Sequence, residues 1–361
     1  MVSLQSGSPD VLQVLKLIDR GFPESLASVS VQLASESISL FAAFDEANLD
    51  GLLYVMTESA GLLGCFDSEQ TALLRSAYQR QLERNHAYLE LLTSFRDRLQ
   101  DNGIDMLLLK GLYIGERFGG GYQRRFMWDM DVMVLPQNLA QAIQLAADLV
   151  LAPTAGSPPR WLLDLVNLHA VEVSHRGRAI DIHWCFRNRP GYHVDYQRVW
   201  RNASQMAIGG AEFTVLSDED ALLLATLEMA SDVERSRVKL RSLWDSYLML
   251  AALDGSLDWS AFFAKREQEG LHCLAGNMLS FALHALQCHD QFPQLAAQLR
   301  QRGMDRLIGS EEAARQILER PEKDLANRVL YSRLQPRPAP LYWLRRAATS
   351  PLRNSLLRKD V

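Results

Sequence analysis

Two aspartates stand two residues apart at the start of an apolar run, in a segment that reads DMDVMVL from 129 to 135. Side chains two apart on a β-strand point to the same face, so Asp129 and Asp131 would project together. Two close carboxylates repel each other, and burying them without a partner is unfavourable. Mg²⁺ (or Mn²⁺) prefers oxygen ligands and often joins carboxylates to substrate phosphates. The spacing favours a metal site for phosphate chemistry, although by itself it is a weak signal.

A third acid strengthens this interpretation. Asp181 lies in a second apparent strand, the AIDIHW segment from 179 to 184, where Asp181 and His183 share one face and the isoleucines share the other. Three carboxylates on neighbouring strands can hold two metal ions, which clamp the attacking and leaving oxygens of an in-line phosphoryl displacement. Asp181 therefore joins Asp129 and Asp131 as a candidate metal ligand.

A lysine and a glycine follow the apolar run that precedes these acids. The run at 106–109 ends at Lys110 and Gly111, which turn the chain into a short helix at 112–118. A glycine at a helix start leaves N–H groups that suit an anion, and the lysine adds a positive charge. Lys110 either contacts phosphate or is a solvated lysine at a strand end. The glycines at 119–121 either close over a nucleotide or form a plain loop.

Arg125 stands four residues before Asp129. Two roles are open for its guanidinium. It either pairs with the carboxylates of Asp129 or Asp131, or it contacts a substrate phosphate.

Together these residues resemble the motifs of a known family, the uncharacterised nucleotidyltransferases of the DNA polymerase beta superfamily. The matching features are a KG turn at 110–111, an arginine four residues before D-x-D, and a late D-I-H-W at 181–184. The similarity continues through 200–201, 209–224, 240–245 and 257–259, and covers about residues 70–265. Lys110 replaces the Gly-Ser turn that is usual in the superfamily.

The resemblance implies a fold and a set of roles. The expected fold is α/β (α+β), with a polymerase-beta-like core, a mixed sheet and helical regions on both sides. Metal binding and catalysis are implied for Asp129, Asp131 and Asp181. The implied nucleotide-binding residues are Lys110, Gly111, Arg125 and Arg241. Supporting hydrogen bonds are expected from His183, His169 and Asp245.

Three residues of the helical part after the core have roles that the sequence leaves open. Arg241 and Asp245 match the family's R-x-x-x-D pattern and either reach toward the nucleotide or form an ion pair one helical turn apart. Glu228 stands where the family often has a histidine, which leaves the role of that position open.

Composition sets limits on the class of protein. The chain has 361 residues, 48% hydrophobic and 22% charged, with a formal net charge of −5. These values are typical of a globular protein of two or three domains, and the acidic balance argues against long nucleic acid as a partner. No window resembles a membrane helix or a signal peptide. Four scattered cysteines indicate reduced thiols and a cytoplasmic location.

Helical patterns flank the core on both sides. We expect an N-terminal helical region (1–101), a nucleotidyltransferase core (102–216) and a C-terminal helical domain (217–361), with the nucleotide in the cleft between core and C-terminal helices. A helix is expected at 11–18, and the tail after 336 is basic. A long helix is expected to start at Asp67 and to end at Asn102 and Gly103, and Ser217 is expected to cap a further helix. The expected core and C-terminal elements are a strand at 104–109, a helix at 139–151, a hairpin at 169–184, a strand at 213–216 and helices at 222–229, 238–252, 259–268 and 271–289. The histidines and cysteines between 272 and 289 match no standard zinc spacing.

The sequence therefore predicts an enzyme that transfers a nucleoside monophosphate from an NTP to an acceptor, with Mg²⁺ or Mn²⁺ as cofactor. The acceptor is left open among a small molecule, a peptide and a protein. Two alternatives use the same residues. One is a kinase that moves the terminal phosphate, and the other is a catalytically silent module that binds a nucleotide or a peptide.

Overall fold

The computed structural model describes residues 50–336, apart from 60, 62, 150–151, 154–167, 176, 188, 190 and 322–323. The helix expected at 11–18 and the basic tail lie outside the described residues.

A mixed sheet forms the centre of the described chain. Its order is β3-β4-β5-β2-β1-β7-β6. The neighbours β2 and β5 run parallel, as do β1 and β7, and the other pairs are antiparallel. The strands are β1 (Leu107–Leu108), β2 (Asp129–Met133), β3 (Ala152–Pro153), β4 (Ala170–His175), β5 (Arg178–His183), β6 (Ser204–Ile208) and β7 (Ala211–Val215).

The two strands that carry the acids are apolar on their other face. Met130 and Val132 of β2 and Ile180 and Ile182 of β5 are fully buried. Because side chains alternate along a strand, this burial fixes the register and turns the acids to the opposite face. The alternation predicted for the segment at 179–184 is therefore observed.

Three strands differ from expectation, and the short strand β3 (Ala152–Pro153) was not predicted. The run at 104–109 pairs as a strand only at Leu107–Leu108, although the amide of Leu109 still donates to the carbonyl of Asp131 at 2.9 Å. The edge strand β6 was not predicted. Its sequence, SQMAI, is mostly exposed and holds few of the residues that favour strands, so pairing with β7 rather than local preference forms it.

Helices surround this sheet. They are α1 (Asp50–Ser59), α2 (Ser68–Asp101), α3 (Leu112–Phe118), α4 (Leu139–Ala147), α5 (Tyr196–Arg201), α6 (Asp218–Glu234), α7 (Leu240–Leu253), α8 (Trp259–Gln268), α9 (His272–Ala285), α10 (Pro293–Arg302), α11 (Glu311–Glu319) and α12 (Leu325–Leu334).

The long helix α2 begins and ends at the predicted signals. Asp67 accepts from the amide of Gln70, whose side chain accepts from the amide of Asp67, so the two form a capping box. Asn102 caps the other end, and Gly103 follows with a φ of 69°. Two polar side chains on the buried face, Gln81 and Asn85, donate to the backbone carbonyl of Gln123 and so hold the loop before β2 against the helix.

The C-terminal helices pack around α6, which contacts α7, α9 and α12. Ser217 caps α6 by accepting from the amide of Asp220, as predicted. The helix expected at 271–289 ends earlier, at Ala285, because Gln287 adopts a left-handed backbone with a φ of 47°. The predicted boundaries after 101 and 216 fall at the end of α2 and just before the Ser217 cap. The division into three domains stays a prediction.

None of the helices between 50 and 336 that the structure describes has the length and apolarity needed to cross a bilayer.

Candidate metal and nucleotide site

Two carboxylates and an imidazole meet at the face of β2 and β5 that turns away from the buried apolar residues. Asp131 pairs with Asp181 in the parallel register of these strands, so both side chains leave the sheet on the same side. One ligand atom from each of Asp131, Asp181 and His183 lies within 4.8 Å of the others. In the described part of the chain, no other group of three or more His, Cys, Asp or Glu residues meets this criterion.

The chemistry of the donor set, two carboxylates and one imidazole, fits a hard cation. Burial, and then the charge of Asp131, raise the pKa of Asp181 to about 7. A raised carboxyl pKa beside a second buried carboxylate means that the pair lacks sufficient positive charge. A set of two carboxylates and one imidazole suits Mg²⁺ or Mn²⁺ better than it suits a soft metal. The cluster could therefore hold a hard divalent cation.

Asp131 is the centre of the polar contacts. Its Oδ1 lies 3.0 Å from Nε2 of His183 and 2.9 Å from Nζ of Lys110. Burial alone would raise the pKa of Asp131, but Lys110 and His183 outweigh it and hold the pKa well below its usual range. Asp131 is therefore a charged carboxylate, as a metal ligand must be.

Lys110 lies between two carboxylates. Besides Asp131, its Nζ is 3.6 Å from Oε2 of Glu228, which α6 brings over the sheet. Burial lowers the pKa of Lys110, but the charges of Asp131, Glu228 and Asp129 raise it above its ordinary value. Of the two roles left open for Lys110, the solvated lysine at a strand end does not fit, because the side chain is only 20% exposed and is ion-paired. Phosphate contact by Lys110 stays a prediction.

Glu228 connects Lys110 to a second chain of contacts. Its Oε1 accepts from Nη2 of Arg187 at 2.6 Å. Burial would raise the pKa of Glu228, but Arg187 and Lys110 lower it to about 2. Nη1 of Arg187 lies 3.0 Å from Nε2 of His169, and because arginine only donates, that nitrogen accepts and the proton of His169 is on Nδ1. Burial and the nearby charge of Arg187 lower the pKa of His169 well below its usual value, so the ring is neutral.

The first aspartate of the pair is less involved than expected. Asp129 is half-buried at the first position of β2, and it is not part of the close group formed by Asp131, Asp181 and His183. Its charge still contributes to the raised pKa of Asp181. The structure thus brings together two of the three predicted acids with His183, and metal binding by each of the three acids stays a prediction.

Arg125 does not pair with the neighbouring aspartates. Its Nε and Nη2 donate to the two carboxylate oxygens of Asp245 on α7, at 2.9 and 2.7 Å, and both side chains are 9% exposed. This contact also replaces the ion pair considered within α7 between Arg241 and Asp245. Asp245 is more strongly bound by the planar, two-armed guanidinium across the interface than it would be by a neighbour one turn away.

Arg241 lies one turn before Asp245 and is half-buried. Within the described residues, it has no hydrogen-bond or ion-pair partner. Its charge is therefore available to an anionic ligand, and nucleotide contact by Arg241 stays a prediction.

Gly111 has a conformational role at the turn before α3. Its φ is 71°, and a Cβ there would lie 3.2 Å from the sulfur atoms of Met127 and Met130. Only glycine adopts this backbone without strain and without that crowding. Since α3 has only seven residues, its start gives little support to the expected anion contact by Gly111.

Sequence reasoning missed Arg187 and left Glu228 without a role. Each carried a signal. Glu228 is the only charged residue in the apolar run Leu222–Met229, and a single charge on the buried side of a helix normally has a partner. Arg187 follows the D-I-H-W segment directly after the buried Phe186, where a positive charge also calls for a counter-ion.

The mixed sheet and the acids on its parallel strands define a nucleotidyltransferase-like protein. The family model described as "Uncharacterised nucleotidyltransferase" matches residues 37–287, more than half of the 361 residues and a longer stretch than the motifs indicated. The chain belongs to this family of uncharacterised nucleotidyltransferases. None of the curated proteins matches the chain.

Proposed function

We propose that this protein transfers a nucleoside monophosphate from a nucleoside triphosphate to an acceptor, with Mg²⁺ or Mn²⁺ held by Asp131 and Asp181 and assisted by Asp129. The observation that carries the proposal is the in-register placement of Asp131 and Asp181 on adjacent parallel strands, with His183 beside them. Family membership supports the reaction class. The bound cation would supply positive charge that stabilises the charge developing on the transferred phosphate.

The bond changes in this reaction are simple. An acceptor oxygen or nitrogen forms a bond to the α-phosphorus, and the bond from that phosphorus to the bridging oxygen of the β-phosphate breaks, so pyrophosphate leaves with the electron pair. The acceptor's proton passes to the carboxylate of Asp181.

Positive side chains at the site would neutralise the triphosphate. Lys110 and Arg241 are the candidates, because Arg125 is already bound on both arms by Asp245. Arg125 instead fixes the segment before β2 against α7, so its effect on the nucleotide is indirect. Phosphoryl-type transfer consists mostly of positioning and charge neutralisation, and these side chains supply both.

The test does not require a known acceptor. Each of the four NTPs is incubated with the protein and Mg²⁺ or Mn²⁺, and pyrophosphate release to water and the melting temperature are followed. Binding to the folded protein should raise the melting temperature. We expect one NTP to give both signals and Asp131→Asn and Asp181→Asn each to abolish pyrophosphate release. Asp148→Asn, at an exposed residue that pairs with Arg98 on α2, is the matched control and should keep full activity.

The outcomes separate the proposed function from its alternatives. Mass spectrometry of a modified acceptor, or of the released product, distinguishes a transferred nucleotide from a transferred phosphate, and the latter would indicate a kinase. NTP binding without any turnover would indicate a silent module. Tight metal-dependent NTP binding that survives the combined Asp131→Asn and Asp181→Asn changes would contradict the assigned roles.

A further inference from the structure

The ammonium of Lys110 lies between two carboxylates on different elements. It is 2.9 Å from Oδ1 of Asp131 in the sheet and 3.6 Å from Oε2 of Glu228 on α6. The shorter contact is with the residue that the proposed function makes a metal ligand. The ammonium of Lys110 therefore neutralises part of the negative charge that a divalent cation would otherwise neutralise.

Two cations that share one carboxylate repel each other, and the repulsion is stronger in a buried site than in water. Oδ1 of Asp131 already has two neighbours, Nζ of Lys110 and Nε2 of His183. A divalent cation bound by Asp131 and Asp181 would weaken the contact between Asp131 and Lys110. The ammonium would then need a second counter-ion, since a buried lysine charge without a partner is costly.

Glu228 is placed to be that counter-ion. Its two oxygens have separate neighbours, because Arg187 donates to Oε1 at 2.6 Å while Oε2 faces Lys110. Arg187 thus holds the carboxylate in place without using the oxygen that Lys110 would take. Only a small movement of a flexible lysine side chain is needed to turn the 3.6 Å contact into a hydrogen bond.

We propose that Glu228 is a positioning residue that receives the ammonium of Lys110 when a divalent cation binds Asp131. This inference rests on the metal site of the proposed function. In the metal-free protein Lys110 neutralises Asp131. With metal bound, Glu228 keeps the lysine charge inside the site, beside the place where the triphosphate would lie, instead of letting it swing into solvent.

The test measures Mn²⁺ affinity by electron paramagnetic resonance in the full-length protein, without nucleotide or acceptor. Four proteins are compared: the wild type, Lys110→Met, Glu228→Gln and the double variant. Lys110→Met should bind Mn²⁺ about tenfold more tightly or better, because a competing charge close to the metal is removed. Glu228→Gln should weaken binding several-fold in the wild-type background and by a clearly smaller factor in the Lys110→Met background.

That difference between backgrounds is the decisive result. If Glu228 acted only through its charge at a distance, Glu228→Gln would change the affinity by the same factor with and without Lys110. Equal factors would overturn the proposal, and so would weaker Mn²⁺ binding in Lys110→Met than in the wild type. The absence of Mn²⁺ binding in both the wild type and Lys110→Met would overturn it as well. Because no NTP is present, failure of nucleotide transfer alone leaves these outcomes unaffected.

Glu234→Gln is the matched control. Glu234 lies on the same helix and accepts from an arginine, Arg189, at the same 2.6 Å distance, but it does not face Lys110. It should leave Mn²⁺ affinity unchanged in both backgrounds. Glu228→Asp keeps the charge and should restore most of the affinity that Glu228→Gln loses, which a purely steric role would not produce. If Glu228→Gln does not fold, Glu228→Asp is compared with Glu234→Gln instead. Only Glu228→Asp should then lower the Mn²⁺ affinity, by a smaller factor than expected for Glu228→Gln, and only when Lys110 is present.

Discussion

The guanidinium of Arg125 binds both carboxylate oxygens of Asp245, a residue 120 positions later in the chain. The pair joins the segment before the acid-bearing strand β2 to helix α7 of the C-terminal region. Both side chains are 9% exposed, so neither charge can turn to water if its partner is removed. The contact is therefore a structural connection between the sheet and the helices that cover the candidate site.

Loss of either member of this pair should destabilise the protein. We expect Asp245→Ala and Arg125→Ala each to lower the free energy of unfolding by about 3–5 kcal/mol, because a buried charge is left unpaired. The double variant should lose clearly less than the sum of the two single losses. Urea denaturation measures all three. Arg315→Ala, in an exposed pair with Glu312, is the control and should have no measurable effect. Additive losses would show that the contact between Arg125 and Asp245 itself contributes little to the free energy of unfolding.

Substitution of Gly111 should disturb the turn that carries Lys110. Gly111→Ala places a methyl group 3.2 Å from the sulfur atoms of Met127 and Met130 in a backbone with a φ of 71°. The left-handed backbone alone should cost about 1–2 kcal/mol of stability. Gly103→Ala is the control, because its φ of 69° is also positive while nothing lies within 4 Å of the added carbon. The larger loss expected for Gly111→Ala measures the crowding together with the ψ of −118° at this residue, and only Gly111→Ala should reduce metal affinity. Equal losses of stability in the two variants would mean that Met127 and Met130 move aside without a measurable cost.

Tyr88 of α2 ties together the starts of the two acid-bearing strands. Its hydroxyl donates to the carbonyl of Trp128 and accepts from the amide of Ala179 at 3.3 Å. Tyr88→Phe leaves these buried backbone groups without that partner, so we expect a loss of about 1–3 kcal/mol. Because Asp129 and Asp181 follow these positions closely, Mn²⁺ affinity should also fall. Tyr247→Phe removes a hydroxyl that donates to Gln291 away from the site, and should leave Mn²⁺ affinity unchanged. Unchanged affinity in Tyr88→Phe would show that the strand starts are aligned without the hydroxyl.

Acid should weaken the fold through a histidine pair in the C-terminal helices. The rings of His284 and His289 lie 4.0 Å apart, and burial, followed for His284 by the charge of His289, lowers the pKa of each below the usual 6.5. The acids near them, Asp290, Asp305 and Glu311, act in the opposite direction but do not cancel the shift. Below pH 6.5 the unfolded chain therefore binds more protons than the folded protein, so stability falls as pH falls through this range and is fully present above it.

The measurement for this pair is the free energy of unfolding between pH 5 and pH 8. His284→Gln should flatten the decline below pH 6.5, because one titrating group is removed and the charge repulsion with His289 disappears. A decline of the same steepness in His284→Gln would show that other groups dominate.

Local patterns were sufficient to predict much of the fold. The alternation in the segment at 179–184 placed Asp181 and His183 on one face, and the caps at Asp67 and Ser217 marked two helix starts. These features depend on neighbours within four residues, which a single sequence shows directly. The resemblance to the nucleotidyltransferase family, which the family match confirms, rested on such local motifs as well.

The contacts that the sequence did not reveal are those between distant segments. Lys110 meets Glu228, and Arg125 meets Asp245, across more than a hundred residues each. A charge on a helix face gives no information about which distant charge it meets. From a single sequence, only partners close in the chain can be predicted. Pairing between distant strands also explains why His183, and not Asp129, belongs to the close group. The register of β2 with β5 sets Asp131 opposite Asp181 and Asp129 opposite Ala179.

The parallel pairing of β1 with β7 also limits how the protein can be divided for experiments. Leu107 pairs with Thr214 and Leu108 with Val215, so the interior strand β1 depends on a segment far beyond the acids. A fragment that stops after residue 183 would contain Asp129, Asp131, Asp181 and His183 but would expose the unpaired, wholly apolar edge of β1. Such an edge recruits other chains, and we expect that fragment to aggregate. A minimal fragment that keeps the acid-bearing strands therefore requires the strand at 211–215, which lies two places from β2 in the sheet.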